Sequence, residues 1–375
     1  MTNGAQVPLP SAPRLPAGLE TPCLVIDLDI VEANARRMGE DMAARGIALR
    51  PHVKTHKSVA LACIQLDNGA VGVTTGTIGE AEVMADGGIK DILVAYPVWP
   101  STGKAERLRT LLERRALRLA VGVDSAAGAT RLGRALGDMA GRMEVMIEVD
   151  PHYGRTGTQP DRAGALAAAA RAAGMRVRGA FTHGGHGYAG GDAVGQAAED
   201  EVEALRVAAN SLSAAGFDAA VLSAGSSPTA LGAARRPVTE LRPGTYLVGD
   251  RQQVALGASP VDGVAICVAA TVVSDAVEGQ VVIDAGAKSL TKDRPDYLAG
   301  HGFLPAYPDG VLERVSDYHG VVRLPAGAPR PQVGEVVAVV PNHACPVVDL
   351  FDSFVVSRGG QPIGRWPVDA RGRSG

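Results

Sequence analysis

Short apolar runs alternate with helical runs over most of this chain, and that alternation restricts the fold more than any other feature. Apolar segments fall at residues 21–27, 47–52, 71–75, 92–96, 117–124, 143–150, 177–183, 220–224 and 241–248. Between them lie helical stretches at 29–45 (closed by Gly46), 78–87, 101–115, 126–139, 162–173 and 200–215. Repeated β/α units with short loops predict a parallel sheet joined by crossover helices. A strand count close to eight and the length predict a (β/α)8 barrel of the TIM type, better than an open dinucleotide-binding sheet. No GxGxxG follows the first strand, which weakens the dinucleotide reading further.

After about residue 255 the texture changes. Val-rich runs at 261–275, 280–284, 320–324, 333–340 and 353–357 are split by Gly, Pro and Asp and have little helical period. They predict a β-rich second domain. The expected organisation is an N-terminal arm at 1–20 packing on the β domain, a barrel over 21–255, and the β-rich domain over 256–375.

Composition excludes several classes. The 375 residues are 46% hydrophobic, ample for a large core, and the formal net charge of −3 gives no reason to invoke nucleic acid or an acidic membrane surface. Cys23, Cys63, Cys267 and Cys345 are far apart and form no CxxC pair, so a reducing cytoplasm is expected. No stretch approaches the roughly 20 apolar residues of a spanning helix. Residues 1–18 are Pro-rich with no basic region before an apolar run, which reads as a loose arm and not a signal peptide.

Chemistry gathers where strands end. Lys54 lies in RPHVKTHK at 50–57, after the strand at 47–52; in a barrel this is the catalytic face. A lysine held there, partly desolvated, can lose its proton and form a Schiff base; a solvated loop is the plainer account of two lysines and two histidines. Arg155 ends the strand at 143–150 in a small-residue turn that suits a planar anion, against the alternative of a surface ion pair. His183 and His186 stand in a glycine-rich turn, where they can shuttle protons or cap loops. Ser223, Gly225, Ser226 and Ser227 form a turn entering a helix, offering N–H groups and hydroxyls to a phosphate. Gly244, Thr245 and Tyr246 follow at the last strand, where barrels commonly bind phosphate. His343-x-Cys345 on an extended segment puts imidazole and thiol on one face, a weak zinc signal alone.

These residues carry a resemblance. TPCLVIDLD followed by RPHVKTHK resembles the start of the alanine-racemase-like (fold type III) pyridoxal-phosphate enzymes, most similar to their D-threonine aldolase and D-serine dehydratase group. The likeness runs from about Leu19 to RWPVDARG at the C-terminal end. It implies that Lys54 carries pyridoxal 5′-phosphate and that Arg155 lies beside the pyridoxal ring. It further implies that the turns at Gly225–Ser226 and 244–246 make the phosphate cup, and that His183 and His186 lie over the site. His343 and Cys345 then hold a divalent metal (zinc or manganese, with magnesium as a further option) in the β-rich domain, and His319 belongs to the same mouth, where with Asp317 it orients the site. In this group aldolases tend to show His-x-Asp, and D-serine dehydratases His-x-Cys with zinc; here PVVDLFD and WPVDARG nonetheless look closer to the aldolases. The leading expectation is a cytoplasmic, homodimeric lyase that cleaves D-3-hydroxy amino acids such as D-threonine to glycine and an aldehyde. Dehydration of D-serine or D-3-hydroxyaspartate to a keto acid and ammonia is the alternative. A racemase or a non-catalytic pyridoxal-phosphate carrier is more remote, since neither needs the metal pair.

Overall fold

The computed structural model describes residues 8–375. The chain divides into two compact units. One comprises Met38–Lys54, Val59–Gly244 and Gly372–Gly375; the other comprises the described residues up to Arg37, Thr55–Ser58 and Thr245–Arg371.

Strand β1 (Cys23–Asp27), which the alternation places first in the β/α series, is not a barrel strand. It pairs antiparallel with Ile266–Ala269 and parallel with Phe354–Ser357. All five of its residues are buried. A continuous apolar run fits any central strand, so its sequence marks it as interior without telling which sheet it enters.

The barrel uses the next eight strands: β2 (Ala48–Leu49), β3 (Val73–Thr75), β4 (Asp91–Pro97), β5 (Arg118–Val123), β6 (Glu144–Glu148), β7 (Arg176–Phe181), β8 (Val221–Ala224) and β9 (Glu240–Leu241). They run parallel in the order β2-β9-β8-β7-β6-β5-β4-β3. Parallel bridges Leu49–Ala70 and His52–Thr74 join the two ends and close the ring. The predicted (β/α)8 barrel is therefore present. Its closing strand is shorter than the predicted 241–248, because Pro243 has no N–H for the ladder and residues Thr245–Leu247 turn into a 3-10 helix.

Period-two alternation sorts the barrel side chains. Ile92, Val94, Leu119, Val121, Val145 and Ile147 join the main core with helical residues such as Leu108, Leu132 and Leu205. Leu93, Ala120, Met146 and Phe181, offset by one residue, form a separate cluster inside the ring. The rest of the interior is polar. Arg50 Nε donates to Glu240 Oε2 (2.7 Å), Ser223 Oγ donates to Glu240 Oε1 (2.7 Å), and Arg242 Nη1 donates to Ser223 Oγ (2.6 Å).

The other unit is a mostly antiparallel sheet, as the Val-rich texture predicts. Its further strands are β10 (Ile266–Ser274), β11 (Gln280–Ile283), β12 (Gly302–Phe303), β13 (Val311–Val315), β14 (Gly320–Arg323), β15 (Val336–Pro341), β16 (Ser353–Arg358) and β17 (Gln361–Pro367). The main path is β13-β14-β11-β10-β1-β16-β17, with β15 on β10 and β12 on β15. Strands β13 and β17 escape the sequence reading because most of their residues face solvent and give no apolar run. Of the predicted arm, residues 1–7 lie outside the described residues. Beyond them Ser11 N–H donates to Val261 O (2.8 Å), and Ala12 packs on Val254, Val264, Phe303 and Val340.

Candidate active site

Each predicted residue of the barrel unit except Ser223 lies past the C-terminal end of a strand, on one rim of the ring. Lys54 sits in the short 3-10 turn Val53–Thr55 beyond β2. That turn is fixed by His52 N–H donating to Pro243 O (3.1 Å) and Lys54 N–H donating to His52 Nδ1 (3.3 Å). Its side chain is exposed, not desolvated as the sequence reading assumed.

Beyond β6, Asp150 Oδ1 accepts the N–H groups of Tyr153 (2.9 Å) and Gly154 (3.0 Å), a side-chain-held turn that presents Tyr153 and Arg155. The Arg155 guanidinium lies 5.3 Å from the Tyr153 ring centroid. Tyr153 meets His183 edge-on at 5.9 Å. A Cβ at Gly185 would fall 2.3 Å from the tyrosine ring, so this close approach requires glycine. His186 Nε2 pairs with Asp200 Oδ2 at 3.0 Å. Burial, and then the cations Lys54, Arg155 and Arg242, hold the His183 imidazole well below its ordinary value. These influences favour the neutral ring over the imidazolium.

The turn beyond β8 departs from the sequence reading. Ser223 is a β8 residue, fully buried, and its hydroxyl is committed to Glu240 and Arg242 inside the ring, so it does not face a ligand. Gly225 N–H donates to Glu201 Oε1 (3.1 Å) and Ser226 N–H donates to Thr229 Oγ1 (2.9 Å). The helix that follows, Ala230–Ala233, is only four residues long. The turn depends on glycine: Gly225 has φ +85°, and a Cβ there would strike the buried Leu241 side chain, 2.7 Å from Cδ2. Gly244 closes the barrel unit after Pro243.

In the other unit, His343 is extended (φ −136°, ψ 114°), but Cys345 stands in the first turn of the helix Ala344–Val348. The pair meets at a helix start, not by strand alternation. Asp250, fully buried, accepts Ala344 N–H on Oδ2 (2.9 Å) and Gln253 N–H on Oδ1 (2.7 Å). Arg251 Nη1 donates to Asn342 Oδ1 (3.2 Å), and Gln252 N–H donates to Asn342 O (3.0 Å). Asp293 Oδ2 lies 3.3 Å from His343 Nδ1. Burial opposes charge on His343, but Cys345, Asp293 and Asp250 outweigh it and push its pKa up to about 11. Cys345 Sγ is 3.2 Å from Thr55 Oγ1 and 3.8 Å from Thr245 Oγ1. Tyr246 is buried beside Thr245 in the 3-10 turn.

His319 is exposed in the turn joining β13 and β14, and no hydrogen bond or ion pair joins it to His343 or Cys345 among the described residues. Asp317 pairs with Lys288 (3.6 Å) rather than orienting that pair.

The residues present fit a planar, anionic cofactor on the barrel rim. Lys54, Arg155 and Arg242 set positive charge around His183, and Lys54 is exposed on the same rim. Among the described residues, no cluster of three or more His, Cys, Asp or Glu side chains is arranged to hold a metal. His343 and Cys345 offer two donors of the types zinc prefers, which leaves vertices for water and substrate. Sequence reasoning missed Tyr153, Glu201, Arg242, Asp250 and Thr55. One signal was available: Glu201 interrupts an otherwise apolar helical stripe.

Residues 26–252 match the alanine racemase N-terminal domain family, and residues 265–357 match a putative serine dehydratase domain. The chain is 34% identical to the D-threo-3-hydroxyaspartate dehydratase of Delftia sp. (strain HT23), over 93% of this chain and 97% of that protein. The solved structure of that dehydratase superposes with a TM-score of 0.84. Variants of it have also been solved with a histidine or a cysteine, two positions apart, replaced by alanine; the cysteine variant is in the metal-free form. The D-threonine aldolase of Arthrobacter sp. is 32% identical over 99% of this chain and 98% of its own length. The structure of D-threonine aldolase from Filomicrobium marinum is 30% identical, covers 97% of this chain and 99% of its own, and gives a TM-score of 0.86.

Proposed function

The chain belongs to the family in which an alanine racemase N-terminal domain is joined to a putative serine dehydratase domain, and on that premise we propose that it is a pyridoxal-phosphate- and divalent-metal-dependent lyase of D-3-hydroxy amino acids. The observation that carries this reading is the Cys345 thiol 3.2 Å from Thr55, the residue peptide-bonded to Lys54. The imidazole and thiol of His343 and Cys345 are a donor pair that a racemase or a carrier does not need.

When bound, pyridoxal phosphate withdraws electrons from the substrate α-carbon, and a divalent metal polarises the 3-hydroxyl. Lys54 would hold the cofactor through its ε-amine, and that amine would hold or move the proton at the substrate α-carbon. Arg155, exposed and stacked over Tyr153, is held to meet an anionic edge. Neutral His183 holds or passes a proton at the rim. Asp293 orients the His343 ring, and the Thr55 and Thr245 hydroxyls flank the Cys345 sulfur.

Both reactions fit: dehydration is supported by the dehydratase variants whose replaced histidine and cysteine share the spacing of His343 and Cys345. Retro-aldol cleavage is the second reading, supported by likeness to the Arthrobacter aldolase over 99% of this chain. Homodimer assembly and a cytoplasmic location complete the proposal, on the family likeness and the four free cysteines; no helix is long and apolar enough to cross a membrane.

The test is a product assay with pyridoxal phosphate and Zn²⁺ or Mn²⁺, offering D-threo-3-hydroxyaspartate, D-serine, D-threonine and D-phenylserine separately. A keto acid with ammonia establishes dehydration, and glycine with an aldehyde establishes the aldolase. No product from any of the four refutes the lyase reading.

A further inference from the structure

The helix Ala193–Ala214 packs on the barrel through Ala197, Ala198, Ala204, Leu205, Ala208 and Leu212. Glu201 falls four residues after Ala197 and four before Leu205, in the middle of that apolar stripe, with no solvent exposure. A buried carboxyl group is costly unless its oxygens are satisfied, so its presence there asks for a reason. The reason is visible at one oxygen. Glu201 Oε1 accepts the N–H of Gly184 at 2.7 Å and the N–H of Gly225 at 3.1 Å.

Those two glycines belong to different loops. Gly184 lies between His183 and His186 beyond β7, and Gly225 opens the turn beyond β8. The β7 and β8 strands are neighbours in the ring, and the ladder runs on to Thr182 N–H donating to Ser223 O (3.0 Å), but Gly184 and Gly225 lie beyond that last rung. A single acceptor shared by both N–H groups fixes the spacing between them. The fit is close on the Gly184 side, where a Cβ would lie 3.0 Å from Glu201 Cγ and Cδ. Arg242, buried under the same rim, adds a favourable field to the carboxyl group.

We propose that Glu201 is a positioning residue that sets the spacing between the histidine turn beyond β7 and the Gly225 turn beyond β8, and so prepares the rim for its cofactor. This inference rests on the pyridoxal-phosphate reading of the rim. Glu201 touches neither cofactor nor substrate; it acts through the backbone of the two turns.

Because one oxygen takes both N–H groups, an amide in place of the carboxylate keeps the acceptor. Glu201→Gln is therefore expected to behave like the parent, whereas Glu201→Met, similar in size but with no oxygen, releases both turns. Two readouts apply. Amide hydrogen exchange on the cofactor-free protein follows peptides covering residues 182–187 and 223–227. Titration with pyridoxal phosphate, followed by absorbance, gives the dissociation constant. In Glu201→Met both peptides exchange faster while the rest of the barrel keeps its protection, and the cofactor binds about tenfold more weakly. Should Glu201→Met not fold, Glu201→Asp gives the same comparison, because its shorter chain cannot reach both N–H groups. Loosening of only one turn, unchanged cofactor affinity, or loss of binding in a folded Glu201→Gln variant each overturns the proposal. If the parent protein binds no pyridoxal phosphate, the functional reading fails, and the exchange comparison still judges Glu201 by itself.

Discussion

Replacing Arg50 by methionine tests how the polar barrel interior supports the lysine rim. Arg50 is 1% exposed and lies four residues before Lys54. Its Nε meets Glu240 Oε2 at 2.7 Å, and its Nη1 meets Asp91 Oδ1 at 2.8 Å. Burial opposes the charge, but the two carboxylates outweigh it and raise the arginine's proton affinity. Methionine fills similar volume and leaves Glu240, 4% exposed, without its cation. Asp91 suffers less, because Arg178 (3.2 Å) and Arg118 (3.7 Å) also pair with it. Breaking a buried pair from one side costs about 3–5 kcal/mol. Ser223 still donates to Glu240, which places the expected loss near the lower figure. At about 2.1 cal/mol/K of unfolding entropy per residue, that corresponds for 375 residues to a fall in melting temperature of about 4 °C. Scanning calorimetry of the cofactor-free protein measures it. The double variant Arg50→Met/Glu240→Gln removes the stranded charge and should regain at least half of the loss. A single variant that melts within about 2 °C of the parent, or a double variant no better than the single, refutes the reasoning.

Three further outcomes follow from the same contacts. Thr55→Val removes a hydroxyl 3.2 Å from Cys345 Sγ and should weaken metal binding about tenfold, read by competition with a chromophoric chelator; unchanged affinity would show the contact to be idle. Asp250→Asn keeps one acceptor where two are used, for Gln253 and Ala344, so metal affinity should fall while pyridoxal-phosphate affinity holds; a loss of both would mean general unfolding. Burial raises the Glu148 pKa above its ordinary value, so between the two values the folded protein keeps a proton that the unfolded chain has released. Stability from this group is full below the unfolded value and falls as pH rises through the folded one. Glu148→Gln should therefore gain in melting temperature over the parent as pH is raised from about 5 to about 8, and a constant difference across that range would contradict the assignment.

Much of the architecture is legible because it depends on local pattern. Ile92-Leu93-Val94 and Val145-Met146-Ile147 are buried on both faces, so they read as unbroken apolar runs with helices between them. Lys54, Arg155 and His183 could be placed because a parallel barrel puts every strand's C-terminal end on one rim. Strand β1 could not be assigned to its sheet, since Cys23–Asp27 would satisfy a central position in either. Ser223 was misplaced for a related reason: period two tells which face a residue takes, but not where the strand stops. The His343–Cys345 pair was found through its residue types, and the geometry inferred for it was wrong because Cys345 begins a helix. Glu201, Arg242 and Asp250 work through partners distant in sequence, and those pairings have no local period.

The two buried carboxylates show why such residues are hard to read and yet decisive. Glu201 gathers Gly184 and Gly225 on a single oxygen, whereas Asp250 uses one oxygen for Gln253 and the other for Ala344. In both cases the ligand is backbone, so the carboxylate fixes the turn without using the side chains of His183 and His186 in one, or of His343 and Cys345 in the other. A turn held by its own side chains would have to divide them between structure and function. The cost is a carboxyl group in a place without water, and it is met only while every N–H stays in reach. The distinction predicts opposite tolerance to the same chemical change. An amide suffices where one oxygen does all the accepting, and fails where both are needed.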